Sequence, residues 1–140
     1  MTYRELLIKD LCLRLNTNLV CSIYRTDDEG IGYRDEILHG YCKGDIWYEF
    51  YFREDCSIAI DNVSKIKPYL LPLSSMTEEQ KKEYDSIIYR SIELHCERYY
   101  DVIDIDEFEV LMDFYHKYHF DYRDLIPMGL AKDATGLNIY

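Results

Sequence analysis

His116 and His119 lie three residues apart, with Asp113 and Glu109 one and two turns upstream of His116. On a helix, such spacing can gather imidazole and carboxylate ligands onto one metal ion. The helical wheel splits the set, however. His119 falls on a stripe with Phe108, Met112 and Tyr115, whereas Glu109, Asp113 and His116 lie beside it on the wetter face. The expectation is therefore no metal site: His119 reads as a boundary histidine and His116 as an i, i+3 partner of Asp113. These two histidines remain the chain's only metal candidates. The cysteines Cys12, Cys21, Cys42, Cys56 and Cys96 are odd in number, widely spaced and free of any C-x-x-C pair, and those on apolar stripes read as inert core thiols. No G-x-S-x-G elbow, phosphate-cradling glycine loop or H-E-x-x-H helix is present. No catalytic residue and no cofactor are assigned.

The strongest chemical signal is acidic. Asp101, Asp104, Asp106, Glu107, Glu109 and Asp113 place six carboxylates in 13 residues with no basic residue among them. Such density costs stability through self-repulsion. It can be a solvated helix face, or a surface complementary to a basic partner, where charge sets encounter rate and register more than affinity. Tyr99, Tyr100, Asp101, Asp104, Asp106, Glu109 and Asp113 form the expected interaction patch, with tyrosines supplying contact area and acids steering. The expected function is a non-enzymatic protein-interaction module. Two alternatives stay open: an acidic DNA mimic that inhibits a host nucleic-acid-binding protein, and a small metal-dependent enzyme.

Composition narrows the partners. The 140 residues carry a net charge of −11, and affinity for nucleic acid comes mainly from neutralising phosphates. Direct binding of DNA or RNA is not expected, and another protein is the expected partner. Fifteen tyrosines suit half-buried positions and interfaces. No apolar run approaches the roughly 20 residues of a membrane helix, and unpaired cysteines fit a reducing compartment. A cytoplasmic protein without membrane contact is expected. No residue pattern fixes the oligomeric state.

The elements that must position these groups follow from periodicity. Leu7, Ile8, Leu11, Cys12 and Leu15 predict an amphipathic helix over 3–15, with Asp10 and Arg14 away from its apolar stripe. Period-two alternation between 19 and 60, broken by short turns, predicts a four-stranded antiparallel meander with room to curl toward a small barrel. Its clearest strand sets Ile46, Tyr48, Phe50 and Phe52 on one face. Pro68 and Pro72 predict an extended connector over 67–75. Ser75-Met-Thr-Glu78 reads as a capping box opening a helix to about Tyr99, and a second helix follows Asp104. Together these give one α+β domain: an N-terminal helix, an antiparallel sheet, and a helical half over 76–140.

Three phrases stand out: Leu6–Leu15, Lys67–Gln80 and His119–Ala131. They resemble a family of small uncharacterised proteins encoded in Bacteroidales genomes and their phages or prophages. The resemblance implies a phage or mobile-element accessory gene and carries over no catalytic residue.

Overall fold

The computed structural model describes residues 1–27, 30–44, 48–53, 56–59, 65–97 and 105–140. Helix α1 spans Tyr3–Leu13. Thr2 opens it with a reciprocal cap, its hydroxyl accepting the Glu5 amide at 3.2 Å while the Glu5 carboxylate accepts the Thr2 amide at 2.7 Å. Leu7, Ile8 and Leu11 are buried as expected. The helix closes two residues before the predicted end, and Asn16 and Asn18 then adopt left-handed backbone conformations (φ 66° and 55°).

The predicted meander is instead two sheets. Strands β1 (Val20–Asp27), β2 (Gly30–Ile37), β6 (Ile66–Leu70) and β7 (Lys132–Asp133) form one in the order β2-β1-β6-β7. Strands β3 (Gly40–Lys43), β4 (Tyr48–Arg53) and β5 (Cys56–Ala59) form the other, and neither closes into a barrel among the described residues. The sheets part between β2 and β3. The Leu38 amide donates to the Leu19 carbonyl at 2.9 Å, and the next amide, His39, donates to the Tyr51 carbonyl at 2.8 Å. Phe50 and Phe52 point into the core as predicted; Ile46 lies outside the described residues.

The connector is also more than a connector. Its first half is β6, antiparallel to β1 and parallel to β7. Pro68 sits in this inner strand because β7 registers only with Tyr69 and Leu70, leaving Pro68 with Cys21 as its single cross-strand partner. A 3-10 turn over Leu73–Ser75 precedes helix α2 (Glu78–Glu97). Ser75 does not cap that helix: its hydroxyl donates to the Pro72 carbonyl at 2.7 Å and closes the 3-10 turn. The cap is Thr77, whose hydroxyl accepts the Gln80 amide at 3.1 Å while the Gln80 side chain accepts the Thr77 amide at 2.9 Å.

Helix α3 spans Ile105–Lys117. Its buried side is rotated from the predicted stripe, with Phe114 and Tyr115 inward and Phe108 half exposed. The aromatic neighbours decide this. Phe114 packs on Tyr84 of α2, on Tyr118 and on Phe120, so the helix turns toward that cluster. The larger core joins α1 to both sheets and to Leu125, Leu130 and Ala131, while the smaller joins α2 and α3 around Phe114, Tyr115 and Phe120.

Candidate functional site

Where α1 ends against α3, the two cores meet over a fully buried ion pair. Asp10 and Arg14 are one helical turn apart, and the Arg14 Nε donates to the Asp10 Oδ2 at 2.8 Å. The second Arg14 nitrogen, Nη2, donates to the Phe120 carbonyl at 2.7 Å and so ties α1 to the segment after α3. Arg123 approaches the other Asp10 oxygen at 3.4 Å. Two guanidinium groups thus share one carboxylate. The Tyr122 ring lies under both, 5.2 Å from the Arg14 carbon and 5.0 Å from that of Arg123. Tyr115 stacks on Tyr122 with centroids 5.0 Å apart and planes 13° apart.

The segment carrying Tyr122 and Arg123 is held by backbone. The Leu71 amide donates to the His119 carbonyl at 2.9 Å, and the Asp121 amide donates back to the Leu71 carbonyl at 2.8 Å. The buried Asp121 carboxylate then accepts the amides of Leu125 and Ile126 at 2.9 and 2.8 Å, fixing the following turn. Each of the three distinctive phrases of the sequence contributes here: Asp10 and Arg14 from the first, Leu71 from the second, and the 119–126 segment from the third.

The histidines take separate roles. His116 Nε2 lies 3.0 Å from the Tyr122 hydroxyl, and among the described residues no hydrogen bond or ion pair joins it to Asp113. The predicted Asp113–His116 pair is replaced by this contact because the imidazole turns inward to the tyrosine. Burial, with the Arg14 charge second, lowers the His116 pKa and favours the neutral ring. His119 does not continue the helix. It adopts a left-handed conformation (φ 59°) beyond Lys117 and stacks on Tyr140, with centroids 3.6 Å and planes 13° apart. Its pKa is lowered to about 4 by burial, then by Arg14 and His116. Among the described residues no three of His, Cys, Asp and Glu are placed to hold a metal ion. Burial raises the Cys21 and Cys12 pKa values, away from thiolate chemistry.

Beside this buried network the surface is grooved and mixes apolar with charged side chains. Leu13, Phe108 and Val110 are 51%, 51% and 50% exposed. Leu13 borders two hollows. One, of about 510 Å³, runs along α3 past Phe108, Glu109, Met112, Asp113 and His116 to Arg123. The other, of about 480 Å³, passes Val110, Phe114 and Lys117 toward Ile87 and Glu83 of α2. Asp113 and His116 line both.

Of the predicted patch, Glu109 and Asp113 are exposed at this groove. Asp106 is placed only as a residue of the first turn of α3, and Tyr99, Tyr100, Asp101 and Asp104 lie outside the described residues. Sequence reasoning missed Asp10, Arg14, Arg123, Tyr122 and Leu13. A signal existed for two of them, since Leu7, Asp10, Leu11 and Arg14 fall at i, i+3, i+4 and i+7 on one helical face. Among the described residues no helix is long and apolar enough to cross a membrane. Comparison of the chain with protein-family models, curated proteins and solved structures gives no match.

Proposed function

We propose that the chain is a non-enzymatic protein-interaction module that works through the surface formed by the end of α1 and the outer face of α3. One observation carries this reading: half-exposed Leu13 borders two grooves, one of about 480 Å³ with half-exposed Val110 at its edge and one of about 510 Å³ with half-exposed Phe108 at its edge. Apolar side chains at groove edges, with a polar rim, are the anatomy of a docking site. The wall of one groove supports it too: Arg123 lines it and is held in place by Asp10 and the Tyr122 ring.

A photo-cross-linking residue at position 13 tests the reading, with the same residue at position 31 on β2 as the control. Both are run in nuclease-treated lysate of a Bacteroidales species, the source that the resemblance implies. A single stoichiometric adduct from position 13, lost when Val110→Glu is added, is the expected result. Equal adducts from both positions, or none from position 13, would remove the groove from consideration.

A further inference from the structure

The groove's charges divide by sign, and the division says what should enter it. Its two cations are already engaged within the chain: Lys117 lies 3.6 Å from the Glu83 carboxylate and over the Tyr118 ring, and Arg123 lies 3.4 Å from Asp10 and over Tyr122. Glu83 in turn accepts the Tyr118 hydroxyl at 2.6 Å. Its remaining carboxylates are not engaged. Glu109 and Asp113 are exposed, and among the described residues neither has an ion-pair partner. His116, the other titratable group between the hollows, favours its neutral form and adds no opposing charge at neutral pH. Arg14 and Arg123 share the one Asp10 carboxylate and leave a single positive charge beneath the groove, so against the two exposed carboxylates of Glu109 and Asp113 the balance at the rim is negative, beside exposed leucine, phenylalanine and valine.

Resting on the docking reading above, we infer that the occupant of the α1–α3 groove is a cationic amphipathic protein segment, with lysines or arginines facing Glu109 and Asp113 and aliphatic side chains seated against Leu13, Met112 and Val110. An acidic segment would place like charges at the rim and pay for desolvating them without a partner. A neutral apolar segment would bury the ridge but leave both carboxylates facing low-dielectric surface. Only the cationic segment satisfies both halves of the surface at once.

Three synthetic peptides of equal length separate the possibilities: one alternating leucine with lysine at helical spacing, one with glutamate for lysine, and one with glutamine for lysine. Each is titrated into isotope-labelled protein, and amide shifts are mapped residue by residue. The lysine peptide should move the amides of Leu13, Val110, Asp113 and His116 and should weaken with added salt. Glu109→Lys together with Asp113→Lys should reduce its affinity roughly tenfold, two exposed ion pairs' worth. Their exposure leaves folding intact, which circular dichroism of the variant checks. If the glutamine peptide binds the same amides equally well and without salt dependence, the cationic occupant is wrong and the docking surface stands. If the lysine peptide's shifts map elsewhere, or no peptide perturbs the groove, both readings fall.

Discussion

The carboxylates beneath the groove and those at its rim are the same chemical group put to opposite uses. Asp10 is fully buried, shared by two guanidinium groups, and fixed 2.8 Å from Arg14. Glu109 and Asp113, on the neighbouring helix, are exposed and without ion-pair partners among the described residues. Taking a carboxylate out of water is costly unless partners replace the water; here Arg14 hydrogen-bonds Oδ2, while Arg123 meets Oδ1 as an ion pair without a hydrogen bond. A carboxylate that keeps its water contributes little to the fold and is free to meet another molecule. Burial thus separates charges that hold this protein together from charges that can recognise something else.

The sharpest way to break this distinction is to remove Arg14. Arg14→Ala leaves Asp10 with only the longer Arg123 contact and orphans the Phe120 carbonyl, so the chain should lose about 3–5 kcal/mol of stability in denaturant unfolding. The double replacement Asp10→Leu with Arg14→Met removes both charges and keeps volume. It should be less destabilised than Arg14→Ala alone, because partly exposed Arg123 can return to water. If the single and double variants lose the same amount, the buried charge is not what makes Arg14 indispensable.

A second pair of groups asks whether the polar ties of the sheet behave like the ion pair. The Tyr140 hydroxyl accepts the Val20 amide at 3.1 Å and donates to the Tyr69 carbonyl at 2.7 Å, bridging β1 and β6. Tyr140→Phe keeps the stack on His119 and should cost about 1–2 kcal/mol, read from the same unfolding curves.

The stack itself predicts a pH dependence. His119 has its pKa lowered to about 4, below the value of about 6.5 that it regains on unfolding. Between these values the unfolded chain binds the extra proton. The stabilisation is complete above about pH 6.5 and is lost as pH falls toward 4. Arg14 and His116 face the ring with positive or potential positive charge and push in the same direction. Replacing His119 with phenylalanine should flatten that part of the stability profile, and an unchanged slope would assign it to other groups.

How much of this was readable in advance depends on where each residue's partners come from. The α1 stripe Leu7–Ile8–Leu11 and the inward Phe50 and Phe52 were legible because periodicity reports burial within a single element. The burial of Asp10 and Arg14, which flank the Leu7 edge of that stripe, was not read, because the carboxylate's second partner stands 113 positions away at Arg123 and the guanidinium's acceptor at Phe120. The division of the strands into two sheets was hidden for the same reason: it turns on which carbonyls the Leu38 and His39 amides reach. Phe108 misled because α3's rotation is set by Tyr84 and Phe120, outside the helix. Glu109 and Asp113 were legible as exposed acids, since solvation needs no partner, whereas the groove beside them needs Leu13 from another helix.

The smallest expected change in stability sharpens the comparison from the other side. Asp113→Lys places a cation where a solvated carboxylate stood, and its folding free energy should shift by no more than about 0.5 kcal/mol. The sign is informative. The new lysine would face Glu109 one turn earlier on α3, an i, i+4 pair in the favourable orientation, which pulls toward stabilisation. Lys117 one turn later pulls the other way. These near-cancelling terms are what a rim charge should show, in contrast to the large one-sided loss at Arg14. A loss at position 113 comparable with that at Arg14 would mean that the rim carboxylate carries the fold as well, and the separation between holding charges and recognising charges would not describe this protein.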